Sequence, residues 1–515
     1  MSRTDRAAKG YFVNVAQMVL YMALQGLLAP LILRHAGVGT LGAYGAVMQL
    51  VGYYAVLDYS FSFTLSRFLA QCHGQEAQTA RFHAIFTTGR TCLLVGGLIC
   101  AAAAALVAGP FANLLKLPAA TTHQATLSLY LLAGWFIMRT PVASYDAALM
   151  ATQNLATAQA IMGVQNMARV LGSFIAVLLG AGLLGMISSA IFADLAAGML
   201  HRRFFSKFYP GRLPGWGIPD RALMKEMSKF IGHVLAISLA SMLTFASGQL
   251  VAGYLVGAIG VAIIYTNQLP AQMAYNLILR LADNGAPAIN ELKGKGDMGG
   301  LRHAFFRIHR LTLSLSLPLA FGIVLFNRTL ISRWVGPAQY GGTLMSVALA
   351  ALTVVISIEH VNVVFAMAMG REKIVARFGL MEAVLALALS CSLGRVWGVG
   401  GIPAGITLAI VPKTVYLFVV HLRAFELSAL RYVRECVLPP AMAGVAAMGS
   451  AALLARTAGL DSLAAAGVAI LLFCSVYGAL SYVLCLSSDE RFTLRRYAGG
   501  LFAVTRLRIL GSYAR

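Results

Sequence analysis

Apolar stretches of about twenty residues recur along the whole chain, separated by segments that carry most of the polar residues. The hydrocarbon core of a bilayer is about 30 Å thick, and about 20 helical residues cross it. Fourteen stretches are about this long, and they lie at residues 13–33, 41–63, 84–108, 126–150, 158–179, 183–200, 230–256, 258–281, 306–326, 342–369, 374–393, 399–420, 437–454 and 463–486. The pattern predicts an all-α polytopic membrane protein with about fourteen transmembrane helices.

The basic residues are divided unevenly among the polar segments. Thirty of the forty Lys and Arg residues lie at the two ends of the chain and in every second gap or within about one turn of it, and only six lie in the other gaps. Lys and Arg accumulate on the cytoplasmic side of membrane helices. The asymmetry predicts a multi-pass protein with an even number of spans and both termini in the cytoplasm.

Composition agrees with a membrane protein and excludes two other classes. Hydrophobic residues make up 59% of the chain and charged residues 11%, so a soluble protein of this length would lack polar surface to cover itself. The net charge of +22 is spread over short loops and a tail, with no basic domain that could follow a phosphate backbone. We therefore expect membrane lipids as partners and no nucleic acid.

A long polar segment with Pro210, Pro214 and Pro219 separates the first six apolar stretches from the last eight. Transporters are often built from repeated halves. This layout predicts five parts: an N-terminal six-helix lobe at 1–205, a cytoplasmic linker at 206–229, a second six-helix lobe at 230–423, two additional helices at 424–486, and a basic cytoplasmic tail at 487–515.

Four basic residues, Arg90, Arg139, Arg169 and Lys413, fall more than about one turn inside the predicted spans. A charge at the bilayer centre costs at least about 2.5 kcal/mol, so it normally faces a water-filled cavity or a partner. With few carboxylates in the spans to neutralise them, these cations favour an anionic substrate. Two alternatives stay open: Arg139 forms a packing ion pair with Asp146, seven residues away, and Arg90 snorkels to the cytoplasmic boundary.

Uncharged polar residues in the spans add candidate substrate contacts. Asn166 lies one turn before Arg169 on a polar helix face, and Gln49 and Gln268 offer amides that suit sugar hydroxyls. Hydrogen bonding between helices is the alternative role for each of them. Three intramembrane carboxylates, Asp58, Asp146 and Glu359, are candidates for ion coupling, because a carboxylate in a low dielectric can take up H⁺ or, with neighbouring oxygens, Na⁺.

Residues 31–71 resemble the opening of Wzx-type polysaccharide flippases of the multidrug/oligosaccharidyl-lipid/polysaccharide (MOP) exporter superfamily. The resemblance is carried by Arg34, Gly37, Gly42, Tyr44, Leu57, Asp58, Arg67 and Ala70. It implies two six-helix lobes around a central cationic cavity, and alternating access that moves an undecaprenyl-diphosphate-linked O-antigen or exopolysaccharide repeat unit across the inner membrane. It implies a transporter, with no enzymatic activity and no cofactor. Polysaccharide assembly proteins are further possible partners.

A diphosphate requires cations, and Arg and Lys offer a planar fork and a point charge for its oxygens. Arg139, Arg169 and Lys413 are therefore the predicted head-group contacts. Lipid II flippases and cation-coupled multidrug exporters of the same superfamily are the nearest alternatives, although the first span has no carboxylate of the kind that many drug exporters carry. A membrane glycosyltransferase or polymerase is a further alternative, disfavoured by the short outer gaps.

Overall fold

A computed structural model describes residues 3–72, 79–117, 119–152, 154–209, 217–458, 463–487 and 490–491. Within these ranges the regular structure is helical throughout. The α-helices are α1 Arg3–Cys72, α2 Thr79–Leu114, α3 Ala119–Ala151, α4 Leu155–Leu178, α5 Gly182–Phe208, α6 Arg221–Ala246, α7 Gly248–Val256, α8 Ala258–Gly294, α9 Met298–Trp334, α10 Gly342–Ala368, α11 Glu372–Trp397, α12 Gly401–Ala424, α13 Ala429–Tyr432, α14 Leu438–Ala458 and α15 Leu463–Leu484. A π-helix at Val433–Val437 joins α13 to α14.

Ten helical segments of the described residues are long and apolar enough to cross a membrane. Two of them, Leu20–Ala70 and Glu372–Ala424, have 51 and 53 residues, far more than the about 20 that one crossing requires. Helices α3 and α8, which cover the predicted fourth and eighth spans, are not among the ten. The all-α, multi-pass architecture is thus confirmed, whereas the number fourteen and the orientation of the termini stay predictions.

Helix α1 is interrupted at Gly37, where the backbone is non-helical (φ 82°, ψ 170°). This left-handed region is open to glycine at little steric cost, so the residue can divide α1 between the first two predicted spans. Gly42 follows on the second segment, where an added Cβ would lie 2.1 Å from the carbonyl oxygen of Ala258. Both glycines of the 31–71 pattern are therefore required by backbone geometry, one for a break and one for a close approach.

The chain forms two compact units, and the first contains residues 1–273, 331–348 and 372–412. One hydrophobic core in this unit surrounds Leu28, Tyr54 and Trp135. A second core is aromatic, with the Phe82 and Phe205 rings stacked at 6.3 Å between centroids. These cores hold together the helices α1 to α5, which carry most of the intramembrane charges.

The second unit contains residues 274–330, 349–371 and 413–515. Phe305, Phe365 and Phe425 form one of its cores. In another core, buried alanines at 443, 447 and 451 recur every fourth residue on α14 and pack in one cluster with Phe473 of α15. Small residues on one face allow two membrane helices to pack closely, and this pair coincides with the two helices predicted at 424–486.

The predicted division into two six-helix lobes stays a prediction. The predicted linker at 206–229 and tail at 487–515 lie partly outside the described residues, at 210–216, 488–489 and 492–515.

Glu490 attaches the start of the tail to α9. Its two carboxylate oxygens accept hydrogen bonds from Arg307 Nε at 3.0 Å and Arg310 Nη2 at 2.7 Å. The Ser487 backbone N–H donates a third, at 2.9 Å. Burial of the Glu490 side chain opposes its ionisation, but the donors at Ser487 and Arg310 outweigh this and hold the pKa of Glu490 below its ordinary value.

We expect Glu490→Gln to destabilise the protein at neutral pH by about 1–3 kcal/mol, because a neutral amide cannot satisfy two guanidinium groups. A carboxylate with a lowered folded-state pKa contributes stability above its unfolded pKa and loses it as the pH falls through the folded value. The difference between parent and variant in thermal unfolding should therefore vanish in acid. Glu291→Gln is the matched control, since the Glu291–Lys295 pair is exposed; an equal loss in both variants would contradict the prediction.

Candidate functional site

Arg169 of α4 and Asp194 of α5 form a two-pronged ion pair in the first unit. Arg169 donates from Nε to Oδ1 of Asp194, and from Nη2 to Oδ2 at 2.6 Å. Gln165, one turn earlier on α4, donates from Nε2 to the same Oδ1 at 2.8 Å. The carboxylate is almost fully buried, with 3% of its side chain exposed, whereas 29% of the Arg169 side chain is exposed. A guanidinium has five N–H donors, so this one retains the capacity to bind a second anion.

The pair lies on the wall of a small cavity between α1, α3, α4 and α5. The cavity has a volume of about 40 Å³, and its polar lining residues are Tyr21, Gln25, Tyr44, Arg169, Ser173 and Asp194. One water requires about 10–15 Å³ by this measure. The cavity therefore accommodates a few waters and is too small for a sugar, so a larger ligand requires the surrounding helices to separate.

The polar face predicted on the fifth span is only partly assembled at this cavity. Arg169 and Ser173 line it, and the Ser173 hydroxyl donates to the Arg169 carbonyl at 2.9 Å. Asn166 is half-buried and does not line the cavity, whereas its neighbour Gln165 binds Asp194. Gln165 was not among the predicted contacts, because helical spacing selected the adjacent Asn166.

Arg139 of α3 is paired with Asp58 of α1, with 3.6 Å between Nη2 and Oδ2. This separation is longer than a hydrogen bond, and within the described residues Asp58 Oδ1 and Arg139 Nη1 are buried without hydrogen-bond partners. The expected pairing of Arg139 with Asp146 is not observed. Asp146 instead has one oxygen 3.5 Å from Nε2 of His201 on α5. The Arg139–Asp58 contact is therefore a loose pair with unused polar capacity on both sides.

In the second unit, Lys413 of α12 forms an ion pair with Glu359 of α10. Both side chains are almost fully buried, with 7% and 5% exposed. Oδ1 of Asn362, one turn after Glu359, lies 3.3 Å from Nδ1 of the buried His421. A predicted head-group contact and a predicted coupling carboxylate are thus brought together as partners.

The remaining candidates lie apart from these pairs. Arg90 is 3% exposed, with its guanidinium 5.6 Å from the Phe86 ring centroid, so it does not snorkel to the membrane boundary. Gln49 is buried. Gln268 donates weakly to the Phe245 carbonyl at 3.5 Å, as expected of a hydrogen bond between helices. The proposed contacts of these three residues with a substrate stay predictions.

One expectation from the sequence is wrong: the intramembrane cations do not lack carboxylates. Arg139, Arg169 and Lys413 each have a carboxylate partner. An uncompensated buried charge is costly, and pairing removes most of that cost. Each of these three cations is therefore neutralised by a carboxylate of the protein itself.

We expect Arg169→Gln to destabilise the protein more than Asp194→Asn does. The first change leaves a buried carboxylate without its cation, whereas the second leaves a guanidinium that can still reach water. The double variant should be more stable than Arg169→Gln alone, with a coupling energy of about 1–3 kcal/mol. Thermal unfolding of the four proteins in one detergent measures the cycle, and additive losses would show that the pair is not coupled.

No family model and no curated protein matches the chain, and the similarities found are to solved structures. The lipid II flippase MurJ in an inward closed conformation superposes with a TM-score of 0.73 at 13% identity, over 92% of this chain and 98% of the flippase. An inward-facing multidrug transporter of the MATE family superposes with a TM-score of 0.66 at 14% identity, over 79% of this chain and 95% of the transporter. A third structure is a MOP superfamily transporter from Pyrococcus furiosus, whose binding pocket is described as reversed in polarity. It superposes with a TM-score of 0.55 at 12% identity, over 81% of this chain and 95% of that transporter. The chain thus has the fold of the MOP superfamily transporters, a group of multi-pass membrane proteins.

Proposed function

We propose that this protein flips an undecaprenyl-diphosphate-linked oligosaccharide, an O-antigen or exopolysaccharide repeat unit, across the bacterial inner membrane by alternating access. The observation that carries a lipid-linked substrate is the extent of the similarity to a flippase, and the resemblance of residues 31–71 favours the oligosaccharide. The likeness to MurJ covers 92% of this chain, whereas the likenesses to MATE transporters cover 79% to 81%. The difference is large enough to contain α14 and α15, so the drug exporters account for less of this chain than the lipid flippase does.

The paired cations support a substrate with a diphosphate head group. A phosphate oxygen and a carboxylate oxygen make the same kind of charge-assisted bond to a guanidinium. Asp194 can therefore serve as an internal substitute anion that holds Arg169 in place until a diphosphate replaces it. The exchange avoids exposing an unpaired charge to the bilayer at either stage, and the 29% exposure of Arg169 gives the incoming anion a route of approach.

The same exchange suggests how ions would be coupled to transport. When a diphosphate draws a cation away, the carboxylate left behind becomes a buried charge, and binding H⁺ or Na⁺ relieves that cost. Asp58 is paired with Arg139, and Glu359 with Lys413. Asp146 lies beside His201. We propose these carboxylates as the coupling groups, with no other cofactor.

Lipid II is the second candidate substrate, because a lipid II flippase is among the similar solved structures and matches 92% of this chain. Both candidates are diphosphates on a polyprenyl chain and differ in what the diphosphate carries. The cationic pairs would bind either head group, so the sugar must be selected elsewhere. Export of cationic drugs is disfavoured, since Arg169 and its partners offer such compounds no excess negative charge.

Reconstituted vesicles give a direct test. Protein should be inserted into liposomes that contain an undecaprenyl-diphosphate oligosaccharide, lipid II or a cationic dye in separate preparations. We expect the oligosaccharide to become accessible to an external glycosidase several-fold faster than in protein-free vesicles, and faster than lipid II becomes accessible to its own probe. Faster lipid II movement would transfer the assignment to the second candidate, and movement of the dye alone would overturn it.

We expect the double variant Arg169→Gln/Asp194→Asn to reduce flipping by roughly tenfold to a hundredfold, because it removes charge-assisted bonds worth about 1.5–3 kcal/mol while leaving no unpaired charge. The comparison should be made at equal amounts of folded protein. Arg395→Gln is the matched control, because it removes an exposed Arg outside the paired sites. Parental rates in the double variant would exclude Arg169 as a head-group contact.

A further inference from the structure

A second and larger cavity lies along the outer side of the α4–α5 pair. Its volume is about 290 Å³, and its lining residues include Val164, Ala168, Gly172, Phe192, Ala196 and Leu200. Most of the lining is aliphatic or aromatic, and Val164 and Phe192 are 59% and 75% exposed at its rim. In a membrane protein such a groove is filled by a hydrocarbon chain, because water gains nothing from apolar walls.

The groove has a defined length. At one end the two helices are in contact, since a Cβ at Gly172 would lie 2.8 Å from the Cβ of Ser189. From there the lining extends to Ile161 on α4 and Leu200 on α5, eleven residues along each helix. Eleven helical residues span about 17 Å, roughly half of a 30 Å hydrocarbon core. The groove is therefore as long as one leaflet is deep.

Charge identifies the end at which a lipid head group would lie. The exposed Arg203 lies three residues after Leu200 on the same face of α5, at the end of the helix predicted to be cytoplasmic. A guanidinium at the mouth of an apolar groove suits a lipid with an anionic head. The direction fits a substrate that enters from the cytoplasmic leaflet.

The inner wall of the groove connects it to the cavity beside Arg169. Gln165 lines the groove, and its amide donates to Asp194, which lines the small cavity together with Arg169. The triad of Gln165, Asp194 and Arg169 is therefore a polar partition between an apolar groove and a polar cavity. A head group that replaced Asp194 on Arg169 would pass this partition while its chain stayed in the groove.

We propose that the α4–α5 groove binds the polyprenyl chain of the lipid-linked substrate, with the diphosphate first held at Arg203 and then transferred towards Arg169. The inference rests on the proposed function for the identity of the lipid. It adds a lateral binding site on α4 and α5 and the path by which the substrate reaches the interior.

Photolabelling of the full-length protein in nanodiscs tests the groove. The probes are a polyprenyl diphosphate with a diazirine on its chain and a phosphatidylglycerol with a diazirine on an acyl chain. We expect the first probe to label residues 161–200, to be displaced by unlabelled polyprenyl diphosphate, and to resist an equal excess of phosphatidylglycerol. Equal labelling and equal competition by the two lipids would overturn the proposal, because the groove would then hold bulk lipid only.

Variants separate the groove from its surroundings. Ala168→Phe and Ala196→Phe each fill the groove from a different helix and should reduce labelling of 161–200 by about tenfold. Leu171→Phe is the matched control, because Leu171 is exposed on α4 and does not line the groove. Undiminished labelling in both filled variants, with parental elution and helicity, would overturn the proposal.

The flipping assay separates this inference from the function on which it rests. If the parent protein moves no polyprenyl-linked glycan but the groove is still labelled selectively, the proposed function fails and the binding site stands. If the parent flips the substrate and both filled variants flip it at the same rate with unchanged labelling, the groove assignment fails and the function stands.

Discussion

The cost of placing charge in hydrocarbon is the constraint on which the rest of this structure depends. Within the first unit, two cations and their carboxylates come from four different helices, α1, α3, α4 and α5. Within the second, α10 and α12 supply one more pair. Each pair requires its helices to meet at one depth and with one rotation, so the same contacts that neutralise charge also set the helix packing. Removing one partner therefore affects both stability and the proposed site.

The pairs differ in how tightly they are made, and the difference matters for function. Arg169 and Asp194 share two hydrogen bonds and a third donor, whereas Arg139 and Asp58 are 3.6 Å apart with an unsatisfied atom on each side chain. A tight pair holds its geometry, and a loose one exchanges partners at lower cost. Under the proposed function, an exchange of partners would therefore break more hydrogen bonds at Arg169 than at Arg139.

The sequence predicted the class of fold because the bilayer allows few solutions. Only helices and closed barrels satisfy their backbone groups in hydrocarbon, and stretches of about twenty apolar residues select helices. The importance of Gly37 and Gly42 could also be predicted, since a helix break and a close approach of two backbones both depend on the absence of a side chain. The partners of the charged residues could not be predicted from the sequence in the same way. Helical spacing places Arg139 and Asp146 on one face, but it does not say which helix that face meets, and the partner came from α1. For the same reason Gln165 was passed over for Asn166.

The small volume beside Arg169 has a consequence for the electrical properties of the membrane. A space of about 40 Å³ holds too few waters to form a continuous file, and the charges at its wall are bound to each other. Protons therefore have no continuous chain of waters in this cavity, and inorganic ions have no unpaired charge to bind there. In this conformation the cavity by itself therefore provides no continuous path for protons or inorganic ions.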